Sequence, residues 1–216
     1  MLLLFALSCG LGLILLLISY FLKIKQLINN ETARKLVHFA HALTVAGWPI
    51  FLGYWFVIIA ELIFVAAVLA SQEYRIFHSL RNIDRKTWGE FFFPLGVIVL
   101  ALLVPPFWVF ASALILLGLA DGVAALIGKS IKSYGYSLFG HKKTVAGSLA
   151  FYLVALFVML FAVWVSANQL TPLKAWATII TVPLLTTLIE NISPYGSDNF
   201  TVPLAVYVGL VATGVI

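Results

Sequence analysis

The chain of 216 residues is 63% hydrophobic and only 10% charged. Soluble domains carry about a quarter of their residues as charged side chains, so this composition excludes an ordinary soluble domain and also intrinsic disorder. A membrane-spanning helix needs about 17 to 25 apolar residues, which limits the chain to about eight or nine spans. The formal net charge of +5 therefore concerns membrane orientation first, and we expect no nucleic-acid partner.

Apolar runs separated by glycine, proline and charged residues predict an all-α integral membrane protein with about eight transmembrane helices. The predicted spans cover residues 2–22, 36–52, 54–71, 90–104, 107–127, 146–166, 173–190 and 200–216. Gly53 predicts a tight turn after the second span, and Pro105-Pro106 predict another after the fourth, because proline cannot continue a helix. We expect one polytopic domain in which the first span is peripheral to a core over residues 33–210.

Basic residues lie almost entirely on one side of this layout. If the N-terminus is outside, the cytoplasmic connections are residues 23–35, 72–89, 128–145 and 191–199. Twelve of the 13 lysines and arginines fall in the first three of them: Lys23, Lys25, Arg34, Lys35, Arg75, Arg81, Arg85, Lys86, Lys129, Lys132, Lys142 and Lys143. Only Lys174 falls on the other side. Since cytoplasmic loops are enriched in basic residues, both termini are expected outside, and the chemistry at the cytoplasmic face.

The first polar cluster begins the second span, in the sequence ARKLVHFAH over residues 33–41. Spacings of three, four and seven residues place Arg34, His38 and His41 on one helical stripe, with Lys35 beside it. Imidazoles inside a membrane span usually face protein or a wet cavity, so both histidines are candidates for function. A purely structural role for either histidine stays open.

The second cluster is RNIDRKTWGEFFFPLG over residues 81–96, where Arg85 precedes Glu90 at the start of the fourth span. The helix dipole stabilises an acidic residue in the first turn, which is the structural explanation for Glu90. Its position at the cytoplasmic interface, beside Arg85 and other ionisable groups, favours a functional role instead.

The third cluster is the most specific and runs from the fifth span through the next loop, over residues 118–151. Asp121 lies inside an apolar helix, where its carboxylate is costly unless a metal or a cation pairs with it. The sequence after it supplies lysines, glycines and hydroxyls: Gly128, Lys129, Gly140, Lys142, Lys143, Thr144, Gly147 and Ser148. A carboxylate that holds a divalent cation, together with lysines and backbone amides, suits a polyphosphate. The spacing is not that of the common phosphate-binding loop, so no soluble-kinase mechanism is implied.

The fourth cluster, IENISPYGSDNFTVP over residues 189–203, places Glu190, Asp198 and Asn199 at the cytoplasmic face. Helix capping alone would explain Asp198, but a loop without basic residues opposite three basic loops indicates local pairing or Mg²⁺ binding. Glu61 stands apart, near the middle of the third span, where a structural and a functional role are equally open.

Five motifs in this order resemble the CTP-dependent lipid-alcohol kinases, a family that includes phytol kinase, dolichol kinase and the yeast-type diacylglycerol kinase and is distantly similar to phosphatidate cytidylyltransferase. The motifs are R-K-x-x-H from Arg34, G-E-x-F-F-P-x-G from Gly89, L-A-D-G-x-A-A-x-x-G-K from Leu119, K-K-T-x-A-G-S-x-A-F from Lys142 and E-x-x-x-P-x-x-x-D-N from Glu190. The resemblance covers residues 33 to about 210. Many relatives carry an acid where this chain has Ala146, and the alanine looks more like the phytol-kinase branch.

The resemblance implies an enzyme that transfers the γ-phosphoryl group of CTP to the hydroxyl of a long-chain isoprenoid or lipid alcohol, with Mg²⁺ as cofactor. The implied catalytic residues are Asp121, Lys143, Arg34, Lys35, Glu90 and His38. The implied nucleotide-binding residues are Gly128, Lys129, Gly140, Lys142, Thr144, Gly147, Ser148, Arg85 and Asn199, and the implied metal ligands are Asp121, Asp198 and Glu190. The general base stays open between Glu90, His38 and Asp198. The expected partners are the bilayer, the lipid alcohol and CTP, and the sequence indicates neither the particular alcohol nor the oligomeric state.

Two other functions are compatible with the sequence. A cytidylyltransferase would couple CTP to a lipid phosphate and release pyrophosphate, but the chain lacks the longer basic and acidic signature that we associate with those enzymes near the C-terminus. A non-enzymatic lipid transporter or scaffold would bind anionic lipid on the basic face and would not need the carboxylate of Asp121.

Overall fold

The computed structural model describes residues 2–73, 88–139, 141–166 and 170–216. It contains seven helices and one two-stranded hairpin in that part of the chain. In order these are α1 (Leu2–Ile24), α2 (Asn30–Glu73), α3 (Gly89–Leu102), α4 (Phe107–Ser130), β1 (Gly135–Leu138), β2 (His141–Thr144), α5 (Val145–Val165), α6 (Pro172–Ile192) and α7 (Asp198–Ala212).

The longest helix, α2, is broken at Gly53, whose φ of 75° and ψ of 169° are not helical. Glycine adopts a positive φ readily because it has no Cβ. His41 Nε2 lies 2.9 Å from Glu61 Oε1 across this break, whereas a straight helix would separate these residues by about 30 Å. The two halves of α2 therefore lie side by side, and the predicted turn at Gly53 is confirmed.

The predicted turn at Pro105-Pro106 is also confirmed, since α3 ends at Leu102 and α4 begins at Phe107. The Tyr54 hydroxyl donates a hydrogen bond to the Pro105 carbonyl oxygen at 2.5 Å. This bond ties the α3–α4 turn to the turn in α2.

Five helical stretches are long and apolar enough to cross a membrane: Phe5–Ile24, Thr32–Ala70, Phe107–Ser130, Val145–Val165 and Pro172–Ile192. The Thr32–Ala70 stretch has 39 residues and contains the break, and about 58 Å of helix is nearly twice the thickness of a hydrocarbon core. Helices α3 and α7 are apolar but shorter. The structure thus agrees with an all-α membrane protein, while the eight-span count and the orientation of the termini stay predictions.

Helix α4 lies at the centre of the bundle and packs against α2, α5 and α7. Its side chains Phe110, Leu114 and Leu117 are fully buried. The antiparallel hairpin follows α4 directly, and Gly135 pairs with Thr144 at its open end. The sequence predicted a cytoplasmic connection over residues 128–145, whereas α4 continues to Ser130 and the hairpin follows it. The hairpin was missed because four-residue strands carry too few residues for a periodic signal.

Candidate active site

Three carboxylates from three helices meet at one end of the bundle. Asp121 belongs to the second half of α4, Glu190 to the last turn of α6 and Asp198 to the first turn of α7. One ligand oxygen from each lies within 4.8 Å of the other two. The structure therefore brings together the three residues that the sequence analysis proposed as metal ligands, and we call this group the carboxylate cluster.

A tight turn between α6 and α7 explains why two of these carboxylates are neighbours. Tyr195 and Gly196 have φ angles of 54° and 87°, and the chain reverses within a few residues. The hydroxyls of Ser193 and Thr201 are 2.8 Å apart and hold the end of α6 against the start of α7. The turn therefore places the first turn of α7 beside the last turn of α6.

Two lysines pair with the carboxylate cluster. Lys35 Nζ donates to Asp121 Oδ1 at 2.6 Å and to the Asp121 carbonyl oxygen at 3.1 Å. Lys143 Nζ donates to the Glu190 carboxylate and, at 3.3 Å, to the Glu190 carbonyl oxygen. Within the described part of the chain, no basic side chain forms an ion pair with Asp198. With every group ionised, three carboxylates and two lysines leave a net charge of −1.

The electrostatics at Asp198 reflect this excess of negative charge. Asp198 precedes the predicted span over residues 200–216, and it is partly buried. Burial, and after it the nearby Asp121 carboxylate, raises the pKa of Asp198 to about 6. A cation bound between the carboxylates would remove this repulsion.

The donor set fits a hard divalent cation such as Mg²⁺, which prefers oxygen ligands and commonly binds through one or two carboxylates. Asn199 adds a further oxygen next to the carboxylate cluster in sequence. Its Oδ1 atom is buried and has no hydrogen-bond partner among the described residues. A buried acceptor without a partner is costly, so a ligand at this position would satisfy it.

The predicted stripe on α2 divides between two environments. The ring of His38 packs edge-on against Phe93 of α3, with 4.5 Å between centroids, and its Nε2 is buried without a hydrogen-bond partner in the described part of the chain. Arg34 and His38 are close enough to the Asp121 carboxylate to interact with it electrostatically. Both residues therefore belong to the surroundings of the carboxylate cluster.

His41, on the same stripe, makes a different contact. Its Nε2 pairs with Glu61 Oε1, and its ring lies against Phe64 and Phe93. Glu61 is almost completely buried, and its second oxygen has no hydrogen-bond partner among the described residues. The pairing with His41 supports the structural explanation of Glu61.

Glu90 lies in the first turn of α3. The backbone of Trp88, just before it, donates a hydrogen bond to the Tyr195 carbonyl oxygen at 2.8 Å. A Cβ on Gly96, further along α3, would meet the Asn199 carbonyl oxygen at 2.8 Å. The start of α3 therefore lies beside the turn that precedes Asp198, at the same end of the bundle as the carboxylate cluster.

Gly128 and Gly147, predicted to approach a nucleotide, lie where α4 crosses α5. A Cβ on Gly128 would meet Thr144 Oγ1 at 2.8 Å and the Gly147 Cα at 3.5 Å, and a Cβ on Gly147 would meet the Ala124 carbonyl oxygen at 3.1 Å. The Thr144 hydroxyl also caps α5 by accepting from the Gly147 backbone N–H at 3.1 Å. These residues have a packing role, and a role in nucleotide binding stays a prediction.

A hydrogen-bonded group that the sequence analysis missed holds the hairpin against the bundle. The Tyr136 hydroxyl lies 2.5 Å from Ser148 Oγ and donates to Asn191 Oδ1 at 2.8 Å, and Ser148 Oγ also donates to Asn191 Oδ1 at 2.8 Å. Of these three residues, only Ser148 belongs to the site predicted from the sequence. Tyr136 and Asn191 carry no signal of their own, since their partnership depends on the hairpin.

Of the four remaining predicted nucleotide-binding residues, two are exposed in the structure and two lie outside the part of the chain that it describes. Lys129 is exposed at the end of α4, and Lys142 is exposed on β2. Arg85 and Gly140 lie outside the described residues.

Together the fold and this site define a multi-pass helical membrane protein with an acidic, lysine-paired centre at one end of its bundle. The chain is 28% identical to a phytol kinase from Synechocystis sp. over 181 residues, which cover 81% of this chain and 76% of the relative. This similarity supports the phytol/polyprenol kinase family and confirms the resemblance seen in the motifs. No family model matches the chain. No solved structure matches it at a significant level.

Proposed function

We propose that this protein is a membrane-embedded kinase that transfers the γ-phosphoryl group of CTP to the hydroxyl of a long-chain alcohol of the phytol or polyprenol type. The observation that carries the proposal is the carboxylate cluster, in which Asp121, Glu190 and Asp198 meet with Lys35 and Lys143 at hydrogen-bond distance from two of them. The similarity to phytol kinase supports the activity on a lipid alcohol. The choice of CTP rests on the resemblance of the motifs to the family.

The charge of the carboxylate cluster suits a nucleotide triphosphate only when a divalent cation is present. The three carboxylates and the two lysines that pair with them sum to −1, so these five groups alone would repel a polyphosphate, whereas one divalent cation changes the sum to +1. Asp121, Asp198 and Glu190 would hold that cation. When bound, Mg²⁺ neutralises charge that develops on the phosphoryl group during transfer.

Basic side chains around the carboxylate cluster would bind the phosphates. Lys35 and Lys143 already pair with two of its carboxylates. Arg34 is close to Asp121, and Lys142 is exposed on the adjoining hairpin. Charge-assisted hydrogen bonds from such groups are about twice as strong as neutral ones. We assign the nucleotide to the surface formed by the hairpin and the adjoining helix ends, with Gly128, Lys129, Lys142, Thr144, Gly147, Ser148 and Asn199. The nucleotide-binding roles of Arg85 and Gly140, which lie outside the described residues, stay predictions from the sequence.

In the proposed reaction the alcohol oxygen attacks the γ-phosphorus of CTP, the bond from this phosphorus to the β–γ bridging oxygen breaks, and CDP leaves. The alcohol proton passes to a general base. Glu90, His38 and Asp198 are the three candidates. The Nε2 atom of His38, which is buried and has no hydrogen-bond partner among the described residues, supports that histidine. Positioning and charge stabilisation account for most of the catalysis in phosphoryl transfer.

The proposed orientation puts the carboxylate cluster at the cytoplasmic face, where CTP is available. It rests on the distribution of basic residues, because 12 of 13 lie in connections on that side of the predicted layout. Lys174, the exception, precedes most of α6 and belongs to the opposite end of that helix from Glu190.

Product analysis tests the proposed reaction directly. The purified protein in lipid nanodiscs would be incubated with Mg²⁺, CTP and either phytol or phytyl phosphate. We expect CDP and phytyl phosphate from phytol, with no turnover of the phosphate. Pyrophosphate together with a CDP-lipid would replace the kinase by a cytidylyltransferase, and lipid binding without any nucleotide turnover would favour a transporter.

A further inference from the structure

An apolar groove runs between the first half of α2 and the second half of α4. Its volume is about 140 Å³. This is close to the size of a cavity of about 150 Å³ that binds benzene, so it has room for a short stretch of one hydrocarbon chain. Its lining includes Lys35 and Phe39 of α2 and Gly118, Gly122, Val123 and Leu126 of α4.

The groove connects the apolar bundle surface with the carboxylate cluster. Leu126 is half exposed on its rim. Lys35 also lines it, and the Nζ atom of this lysine hydrogen-bonds Asp121. A molecule in the groove would therefore have an apolar body along the helices and a polar end beside Lys35.

Gly122 gives the groove part of its space without serving helix packing. A Cβ at Gly122 would meet no atom of the described residues within 4 Å, and the φ of Gly122 is not in the positive region. By contrast, a Cβ on Gly118 would lie 3.1 Å from the Ala42 Cβ, so Gly118 is needed where α4 crosses α2. Glycine inside a helix costs about 1 kcal/mol relative to alanine, and at Gly122 no contact or backbone angle explains this cost.

We propose that this groove holds the carbons nearest the hydroxyl of a single-chain lipid alcohol and presents the hydroxyl to the Lys35 and Asp121 side of the carboxylate cluster. The inference rests on the proposed kinase function and adds the place where the alcohol's hydrocarbon chain binds. A groove for one chain favours phytol or a polyprenol over diacylglycerol, whose two chains branch close to the hydroxyl. Since lipid tails in the bilayer are as apolar as the groove, it contributes position rather than hydrophobic binding energy.

The test fills the groove at Gly122. We expect Gly122→Leu to lower kcat/KM for phytol by at least about tenfold, because the hydroxyl is displaced; the phytol concentration is expressed as its mole fraction in the lipid. The KM for CTP and the Tm should stay at wild-type values. Gly122→Ala should stay within about twofold of wild type, since one methyl group leaves most of the groove open. Gly10→Leu on α1, where an added Cβ also meets no atom within 4 Å, is the matched control and should behave as wild type.

If Gly122→Leu has the wild-type kcat/KM for phytol, the proposal that the alcohol binds in this groove is wrong. The proposal is also wrong if the wild-type protein phosphorylates diacylglycerol faster than phytol. If Gly122→Leu lowers the Tm, the comparison moves to Val123→Phe, a second lining position of α4, judged by the same split between phytol and CTP.

A binding experiment separates failure of the groove from failure of the proposed reaction. Hexadecanol with a diazirine on a carbon near the hydroxyl would be photolysed with the wild-type protein and with Gly122→Leu. We expect labelled peptides from residues 32–39 and 118–129 in the wild type only. Labelling confined to other segments overturns the groove even if phytol is phosphorylated. Labelling at these peptides without phosphoryl transfer supports the groove and overturns the kinase.

Discussion

Replacing Asp198 by asparagine should have opposite effects on stability with and without a divalent cation. Without the cation, Asp198 adds negative charge beside Asp121 and forms no ion pair within the described residues. Asparagine keeps the shape and removes the charge, so it should stabilise the cation-free protein. With the cation bound, the same change removes a ligand and should lose the stabilisation that binding provides.

The size of the first effect follows from the pKa of Asp198, which rises from 3.8 to about 6 on folding. Ionising Asp198 in the folded protein therefore costs about 3 kcal/mol of unfolding free energy. The sign is that of an acid with a raised pKa: stability is unaffected below about pH 4, falls as the pH rises towards about 6 and stays lowered above it. For a chain of this length about 3 kcal/mol moves Tm by about 6 to 12 °C.

Thermal unfolding in detergent at neutral pH, in EDTA and in excess Mg²⁺, measures both effects. We expect Asp198→Asn to melt above wild type in EDTA and to gain less from Mg²⁺. Glu61→Gln makes the same charge change on a glutamate that pairs with His41, and its response to Mg²⁺ should equal that of wild type. If Asp198→Asn is less stable than wild type in EDTA, Asp198 is not repelled in the cation-free protein, and if it gains as much from Mg²⁺, Asp198 is not a ligand.

Three further predictions concern residues around the site. Gly96→Ala should lower the unfolding free energy by about 1 to 3 kcal/mol in chemical denaturation, because its Cβ would lie 2.8 Å from the Asn199 carbonyl oxygen; an unchanged midpoint would contradict the close contact of α3 and α7. Glu61→Leu should lower the unfolding free energy by about 1 to 3 kcal/mol, because it leaves His41 without its partner. Adding His41→Phe should recover much of that loss, and no recovery would argue against a paired structural role. Tyr136→Phe should loosen the hairpin and so raise the KM for CTP severalfold, with the KM for phytol unchanged. An equal change in both KM values would contradict a role of the hairpin in nucleotide binding alone.

The sequence was sufficient for the helices and for the composition of the site. Long apolar runs and the breakers Gly53 and Pro105-Pro106 predicted the helices to within a few residues at most ends. Asp121, Glu190 and Asp198 could be grouped because carboxylates near the ends of apolar helices are costly unless a cation or a metal ion pairs with them.

The pairing of side chains could not be predicted in the same way. Helices that are apolar on every side show no stripe that identifies the buried face, so the rotation of α2 against α4 was open. That rotation decides that Lys35 pairs with Asp121 and that Lys143 pairs with Glu190. The hairpin that carries Lys143 depends on cross-strand register, which its short and irregular sequence does not specify.

The most direct test of the central claim follows the γ-phosphate of labelled CTP in nanodiscs that contain phytol and Mg²⁺. We expect wild-type protein to move the label into phytyl phosphate. We also expect Asp121→Asn, of the same size but without the charge that faces Lys35, to lower this transfer by on the order of 100-fold while the protein keeps its helical fold in far-UV circular dichroism. Transfer at the wild-type rate by Asp121→Asn, or no label in the lipid fraction with wild-type protein, would contradict this claim.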